Sequence, residues 1–183
     1  AVWLVARSQG APVPRRLIYI VDRRAVVDQA TQEAERLARL VEDDRNLRSR
    51  LGLSQNQRLP ISTLRGQHVD NREWLEDPSL PAIIVGTVDM IGSRLLFEGY
   101  GVSRKMRPYH AGFLGADTLL VLDESHLVPP FEMMLKSLVS QDSDFRGEDA
   151  CAALVPGIKL LALSATGRTV EGDVLRLSER DLE

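Results

Sequence analysis

Four apolar runs of strand length punctuate the chain: residues 17–21 (LIYIV), 82–86 (AIIVG), 119–122 (LLVL) and 158–163 (IKLLAL). Each is bounded by proline, glycine or charge and is apolar almost throughout, the pattern of strands covered on both faces. Residues 61–64 (ISTL) form a weaker fifth run and residues 174–177 (VLRL) a sixth candidate. Between the runs the period changes. Val26, Val27, Ala30, Ala34, Leu37, Ala38 and Val41 recur at three- and four-residue steps among polar positions, which predicts an amphipathic helix over 24–41. A second helix follows Thr87, an N-cap candidate with Asp89 in the first turn, and carries Met90, Ile91, Leu95 and Leu96. A third covers 130–139, because proline is accommodated in a helix's first turn. Segments 42–60 and 99–115, rich in charge, glycine and loop-formers, read as connections. There is no internal repeat and no low-complexity tract.

Strands alternating with helices predict an α/β fold built on an open, mainly parallel sheet, whose ligands sit at the carboxyl ends of its strands. Asp123 and Glu124, directly after 119–122, then fall on the functional edge. Composition narrows the class. The 183 residues make about one domain, and 44% hydrophobic with 27% charged residues exclude disorder, collagen and long coiled coil. A formal net charge of -3 excludes a strongly basic tail as the basis of nucleic-acid binding, although a local arginine stripe would not register in the sum. The single cysteine, Cys151, allows neither an internal disulfide nor a cysteine-rich zinc site, which fits a reducing cytoplasm. No window approaches the roughly 20 apolar residues of a membrane span, and no signal-peptide pattern opens the chain. The first residues, AVWLVARSQG, carry no start methionine and no capping residue, so the chain is expected to begin inside an element, as a fragment.

A pair of carboxylates at the mouth of a buried strand is costly unless solvent, a metal or a cation receives it. One reading is a strand exit with solvated acids. The other is a Walker B arrangement, in which one carboxylate holds magnesium through water and its neighbour addresses the water that attacks a γ-phosphate. Ser125 and His126 complete Asp-Glu-Ser-His, the Asp-Glu-x-His form, and about forty residues later a second apolar run ends in Ser164-Ala165-Thr166. A lone Ser-Ala-Thr is usually a turn cap; the two endings together are a much more specific signal.

With these motifs the chain resembles the first RecA-like domain of a superfamily 2 helicase, DESH standing as motif II and SAT as motif III. More closely, RRLIYIVDRRAVVDQA, STLRGQ, PAIIVGTVDMIGSRLLFEGYG, RPYHAGFLG and VLDESHL resemble the CRISPR-associated helicase-nuclease of type I systems. The resemblance runs over nearly the whole chain. It implies a prokaryotic, cytoplasmic, ATP- and magnesium-dependent enzyme of antiviral defence. Its substrate would be single-stranded DNA, and its partner the guide-RNA surveillance complex that opens foreign DNA. By the same resemblance Asp123 binds magnesium through water, Glu124 orients or activates the hydrolytic water, and His126 couples that site to its neighbour. Ser164, Ala165 and Thr166 link nucleotide state to DNA movement. Arg24 and Gln29 occupy motif Ia positions facing the DNA backbone, Arg65 and Gly66 a further DNA contact, and Thr87 a phosphate contact.

The residues themselves leave other readings open. Arg23-Arg24 also reads as a solvated helix start, and Thr87 as a helix cap, a role compatible with touching phosphate. In STLRGQ, Gln67 stands where the family commonly has a second glycine. His68 and His110 have no histidine or cysteine neighbours in sequence, and Trp3 and Trp74 read as packing residues. The His-Asp nuclease signature is absent from the sequence, as is the G-x-x-x-x-G-K-[ST] phosphate loop. The chain is accordingly expected to be one partial RecA-like domain over 1–183. The phosphate loop, second RecA-like domain and nuclease domain would lie elsewhere, leaving this piece inactive alone. Two rivals remain: a non-catalytic α/β interaction module, and a domain of another superfamily 2 translocase.

Overall fold

A computed structural model describes residues 1–65, 68–69, 73–140 and 156–165. The apolar runs become strands β1 (Arg16–Val21), β2 (Ile61–Arg65), β4 (Ala82–Thr87), β5 (Thr118–Leu122) and β6 (Ile158–Ala162), with a two-residue β3 (His68–Val69). They form one sheet in the order β3-β2-β4-β1-β5-β6, in which β2, β4, β1, β5 and β6 are mutually parallel and only β3 is antiparallel. This is an open α/β sheet of RecA-like type. The sixth run, 174–177, lies outside the described residues.

Strand pleat sorts the side chains into two cores. Ile18, Ile20, Leu64, Ile84, Leu120 and Leu122 face α4 (Glu73–Glu76), α5 (Val88–Leu95), α6 (Arg107–Gly115) and α7 (Pro129–Val139). Val21, Ile61, Ile83 and Val85 face α1 (Val2–Ser8), α2 (Arg24–Asp43) and α3 (Arg45–Arg50). Helices therefore cover both faces, and β4, the strand buried at every position, runs through the middle. The helix periods hold: Val27, Ala34, Ala38 and Val41 make the buried stripe of α2. Trp3 and Trp74 are packing residues, buried in opposite cores.

Two segments read as connections contain helices. In 42–60, Asp44 Oδ1 accepts from the amides of Asn46 and Leu47 and so starts α3, after which Leu51, Leu53 and Leu59 are buried. In 99–115, Pro108 stands in the first turn of α6 and Ala111, Phe113 and Leu114 pack onto the sheet. Three buried apolar residues in each segment are too few to show above the surrounding charge and glycine. β6 departs from the expectation of two-sided cover: Leu161 and Leu163 are exposed, and among the described residues β6 pairs only with β5. No helix among the described residues is long and apolar enough to cross a membrane.

Candidate functional site

Because the five strands are parallel, their ends line one edge. Val21 lies opposite Thr87, Leu64 opposite Gly86, Ile20 opposite Leu122, and Leu122 opposite Ala162. The chain leaves each of these ends through a residue singled out in the sequence: Arg24 after β1, Arg65 at the end of β2, Thr87 at the end of β4, Asp123 after β5 and Ser164 after β6. The acidic pair and Ser164-Ala165 are thus neighbours at one edge.

The backbone continues the ladder past the strands. Asp123 N–H donates to Ile20 O at 2.9 Å, Leu163 N–H to Leu122 O at 2.8 Å, and Ser125 N–H to Leu163 O at 2.8 Å. These bonds fasten the Asp-Glu-Ser-His turn to both neighbouring strand exits. Glu124 sits in the left-handed region at φ +47°, a conformation costly for a residue with a Cβ, and the turn then closes as a one-turn 3₁₀ helix over Ser125–Leu127.

Asp123 is held on both oxygens. Oδ1 accepts from the Glu124 amide at 3.0 Å, and Oδ2 accepts from the Tyr19 hydroxyl at 2.7 Å. Burial, the hydrogen bond to Asp123 and the charges of Asp123 and Glu124 raise the Tyr19 phenol well above its ordinary value, so it remains a neutral donor. Tyr19 was not singled out in the sequence. The signal was there: in the pleat, positions 19 and 21 share a face with 121 and 123 once β1 and β5 are paired, but that pairing is a tertiary fact.

His126 joins the two motifs. Its Nδ1 lies 3.2 Å from Glu124 Oε2 and 3.2 Å from Ser164 Oγ. The Ser164 contact is a hydrogen bond whose donor depends on the ring's tautomer, whereas the approach to Glu124 Oε2 is a close charge contact without hydrogen-bond geometry. One ring nitrogen thus serves both partners. The groove beside it, about 370 Å³, is lined by Arg23, Asp123, Glu124, His126 and Ala165. Arg23, not Arg24, borders this groove; Arg24 lies exposed on the first turn of α2, whose start has no side-chain cap. An uncapped 20-residue helix presents its first amides to an anion.

Gln29 is exposed on α2 and lines a second cavity, about 450 Å³, with Trp3, Tyr19, Leu37, Val85 and Asp123. Arg65 pairs with Asp28 of α2, tying the end of β2 to that helix. Thr87 is buried, and its hydroxyl accepts from Met90 N–H at 3.4 Å, so it caps α5. Gly66, Thr166 and Cys151 lie outside the described residues, as does the side chain of His68. His110 is partly buried, with its ring edge-on to Trp74 at 5.3 Å.

A magnesium ion fits this edge in one manner only. No group of three or more His, Cys, Asp or Glu able to hold a metal occurs among the described residues. Asp123, though, retains acceptor capacity on both oxygens beyond its two hydrogen bonds. One carboxylate with water and phosphate oxygens as the remaining ligands is an ordinary magnesium site. Compared with protein-family models and with curated proteins, the sequence finds no match in either.

Proposed function

We propose that this chain belongs to an ATP-dependent, DExH-type superfamily 2 translocase acting on single-stranded DNA, of the kind found in the CRISPR-associated helicase-nucleases of type I systems. The observation that carries the reading is the contact of His126 Nδ1 with both Glu124 and Ser164 at 3.2 Å. A strand exit with merely solvated acids has no use for a histidine shared with the next strand's ending.

In this reading Asp123 would hold magnesium through water, and the ion, when bound, would supply charge neutralisation to the nucleotide's phosphates. Tyr19 and the Glu124 amide fix the carboxylate so that it does not reorganise when the ion arrives. Glu124, about half exposed at its side chain, faces the groove and accepts a proton from the attacking water. His126, in contact with both, would couple Glu124 to Ser164 at the next strand's exit. Arg23 and the uncapped start of α2 supply positive potential beside the groove. Arg24, Arg65 and the Thr87 turn lie along the same edge, where a DNA backbone would run.

The sequence itself contains no glycine-rich phosphate loop, so ATP hydrolysis requires that loop, and a second domain's arginine, from a longer polypeptide or a partner. The test is a genomic and biochemical pair. Reading the coding sequence upstream should reveal a glycine-rich segment ending in Gly-Lys-Thr or Gly-Lys-Ser, with CRISPR genes nearby. The protein encoded by that longer frame should release phosphate from ATP when single-stranded DNA and magnesium are added, and Glu124→Gln should abolish this. An upstream stop codon or an unrelated domain favours a non-catalytic interaction module. Hydrolysis without neighbouring CRISPR genes favours another superfamily 2 translocase.

A further inference from the structure

The connection from α5 to α6, residues 96–106 (LFEGYGVSRKM), is held in one shape yet turns its largest side chains to solvent. Ser93 O accepts from the amides of Glu98 at 2.8 Å and Gly99 at 2.9 Å, Arg94 O from Phe97 at 3.2 Å, and Gly99 O from Val102 at 3.0 Å. Gly99, at φ +45°, must be glycine, since a Cβ there would lie 2.9 Å from Val102 Cγ2. Phe97 takes φ +62°, a strained conformation for an aromatic residue, and the residue is 56% exposed, so burial does not offset the strain. Tyr100 is 65% exposed, with Leu96 and Met106 beside them in the same loop also open to solvent.

Charge separates this loop from an ordinary apolar patch. Glu98 is neutralised by Arg107 at 3.0 Å. Arg104 and Lys105 stay exposed, with no ion pair among the described residues, in a chain whose net charge is -3. Two rings and two uncompensated cations within nine residues complement a ligand with both π-faces and a row of negative charges. A duplex hides its base faces, and a protein partner is the alternative that the test below separates. A single strand presents both features.

We infer that the 96–106 loop is a contact for single-stranded DNA, with bases stacked on Tyr100 and Phe97 and phosphates held by Arg104 and Lys105. The choice of DNA rests on the substrate class proposed above; the binding itself needs no nucleotide. The test uses the 183-residue chain and a fluorescently labelled oligothymidine, with anisotropy read at several salt concentrations and no ATP. Tyr100→Ala should weaken binding by roughly fivefold or more, the lower end of what one base stack contributes. Tyr100→Phe should restore affinity and Tyr100→Leu should not. Replacing Arg104 and Lys105 by Gln together should flatten the plot of log affinity against log salt by about 1.4, roughly 0.7 for each phosphate contact on a single strand. These side chains are exposed, so an unchanged thermal midpoint verifies the fold of each variant.

No binding by the unaltered chain overturns the inference, as does wild-type affinity in Tyr100→Ala. Full affinity in Tyr100→Leu would mark a generic apolar contact, such as a protein partner makes, and an unchanged salt slope would remove the phosphate contacts. Tighter, equally loop-dependent binding of oligouridine would overturn the choice of DNA. Because no nucleotide is present, failure here leaves the ATPase reading standing, and failure of the Glu124→Gln test leaves this measurement readable.

Discussion

The Tyr19 hydroxyl donates to Asp123 Oδ2 at 2.7 Å, from the middle of one parallel strand to the exit of its neighbour. The ring reaches two residues along the sheet to meet the carboxylate, and the bond holds only while the phenol keeps its proton. Tyr19→Phe should leave the fold intact and cost about 1 kcal/mol at neutral pH, the typical net worth of one hydrogen bond. The phenol is raised above its ordinary value in the folded chain. Above about pH 10 the unfolded chain therefore releases a proton that the folded chain retains, and stability falls as pH rises. Urea midpoints measured at pH 7 and pH 11 should converge between wild type and Tyr19→Phe as pH rises. A constant gap would show that Tyr19 does not titrate as argued.

In the ATP-hydrolysing protein, Glu124→Gln should leave nucleotide binding near wild type while lowering turnover by about 100-fold or more, the usual range for a lost general base. His126→Ala and Ser164→Ala should each lower DNA-stimulated turnover more than basal turnover. Their double variant should fall short of the product of the two losses, since each removes the same 3.2 Å contact. Strictly multiplicative losses in stopped-flow phosphate release would show that the two residues act apart.

Arg65 is already engaged by Asp28, so it meets a phosphate only by exchanging one anion for another. Arg65→Ala and Arg24→Ala should each weaken single-stranded DNA binding uniformly across sequences and reduce the salt slope by about 0.7. Asp28→Asn should do the opposite and tighten binding. Weaker binding of Asp28→Asn in the same anisotropy titration would mean that the ion pair positions Arg65 and does not mask it.

Arg94 is a buried cation that, among the described residues, makes one hydrogen bond to oxygen, from Nη1 to Met90 O at 2.9 Å, while Nε and Nη2 find no partner there. Burial lowers its affinity for the proton. Replacing a poorly compensated buried charge by an apolar side chain of similar length is commonly neutral or stabilising, by about 1–4 kcal/mol. Arg94→Met should therefore unfold at the same or higher temperature in scanning calorimetry. A clear fall would reveal a role for the charge.

Gly86, in the central strand β4, is in close contact with α5: a Cβ there would lie 2.9 Å from Ile91 Cδ1 and 3.2 Å from Leu64 Cβ. Gly86→Ala should cost roughly 1–3 kcal/mol through overpacking and push α5 outward, disturbing the Thr87 cap. Denaturant unfolding checks the cost.

By itself the sequence determined the strands and the long helices, because apolar runs and a 3.6-residue period are one-dimensional signals carried by residues such as Ile18, Ile84, Val27 and Ala38. It also determined that Asp123 and Ser164 each follow a strand, hence that both stand at a carboxyl edge once the strands are parallel. It left α3 and α6 unread, since their few apolar contacts fall among charge and glycine. Strand order was equally outside its reach: parallel pairing of β5 with both β1 and β6 depends on crossovers of many residues, and no local pattern encodes a neighbour so distant. That order alone placed Tyr19 against Asp123, Arg23 in the groove, Asp28 on Arg65 and His126 between Glu124 and Ser164. Distances of this kind arise only when separate strands are brought side by side, so the residue types could be read from the chain while their partners were decided by the tertiary structure.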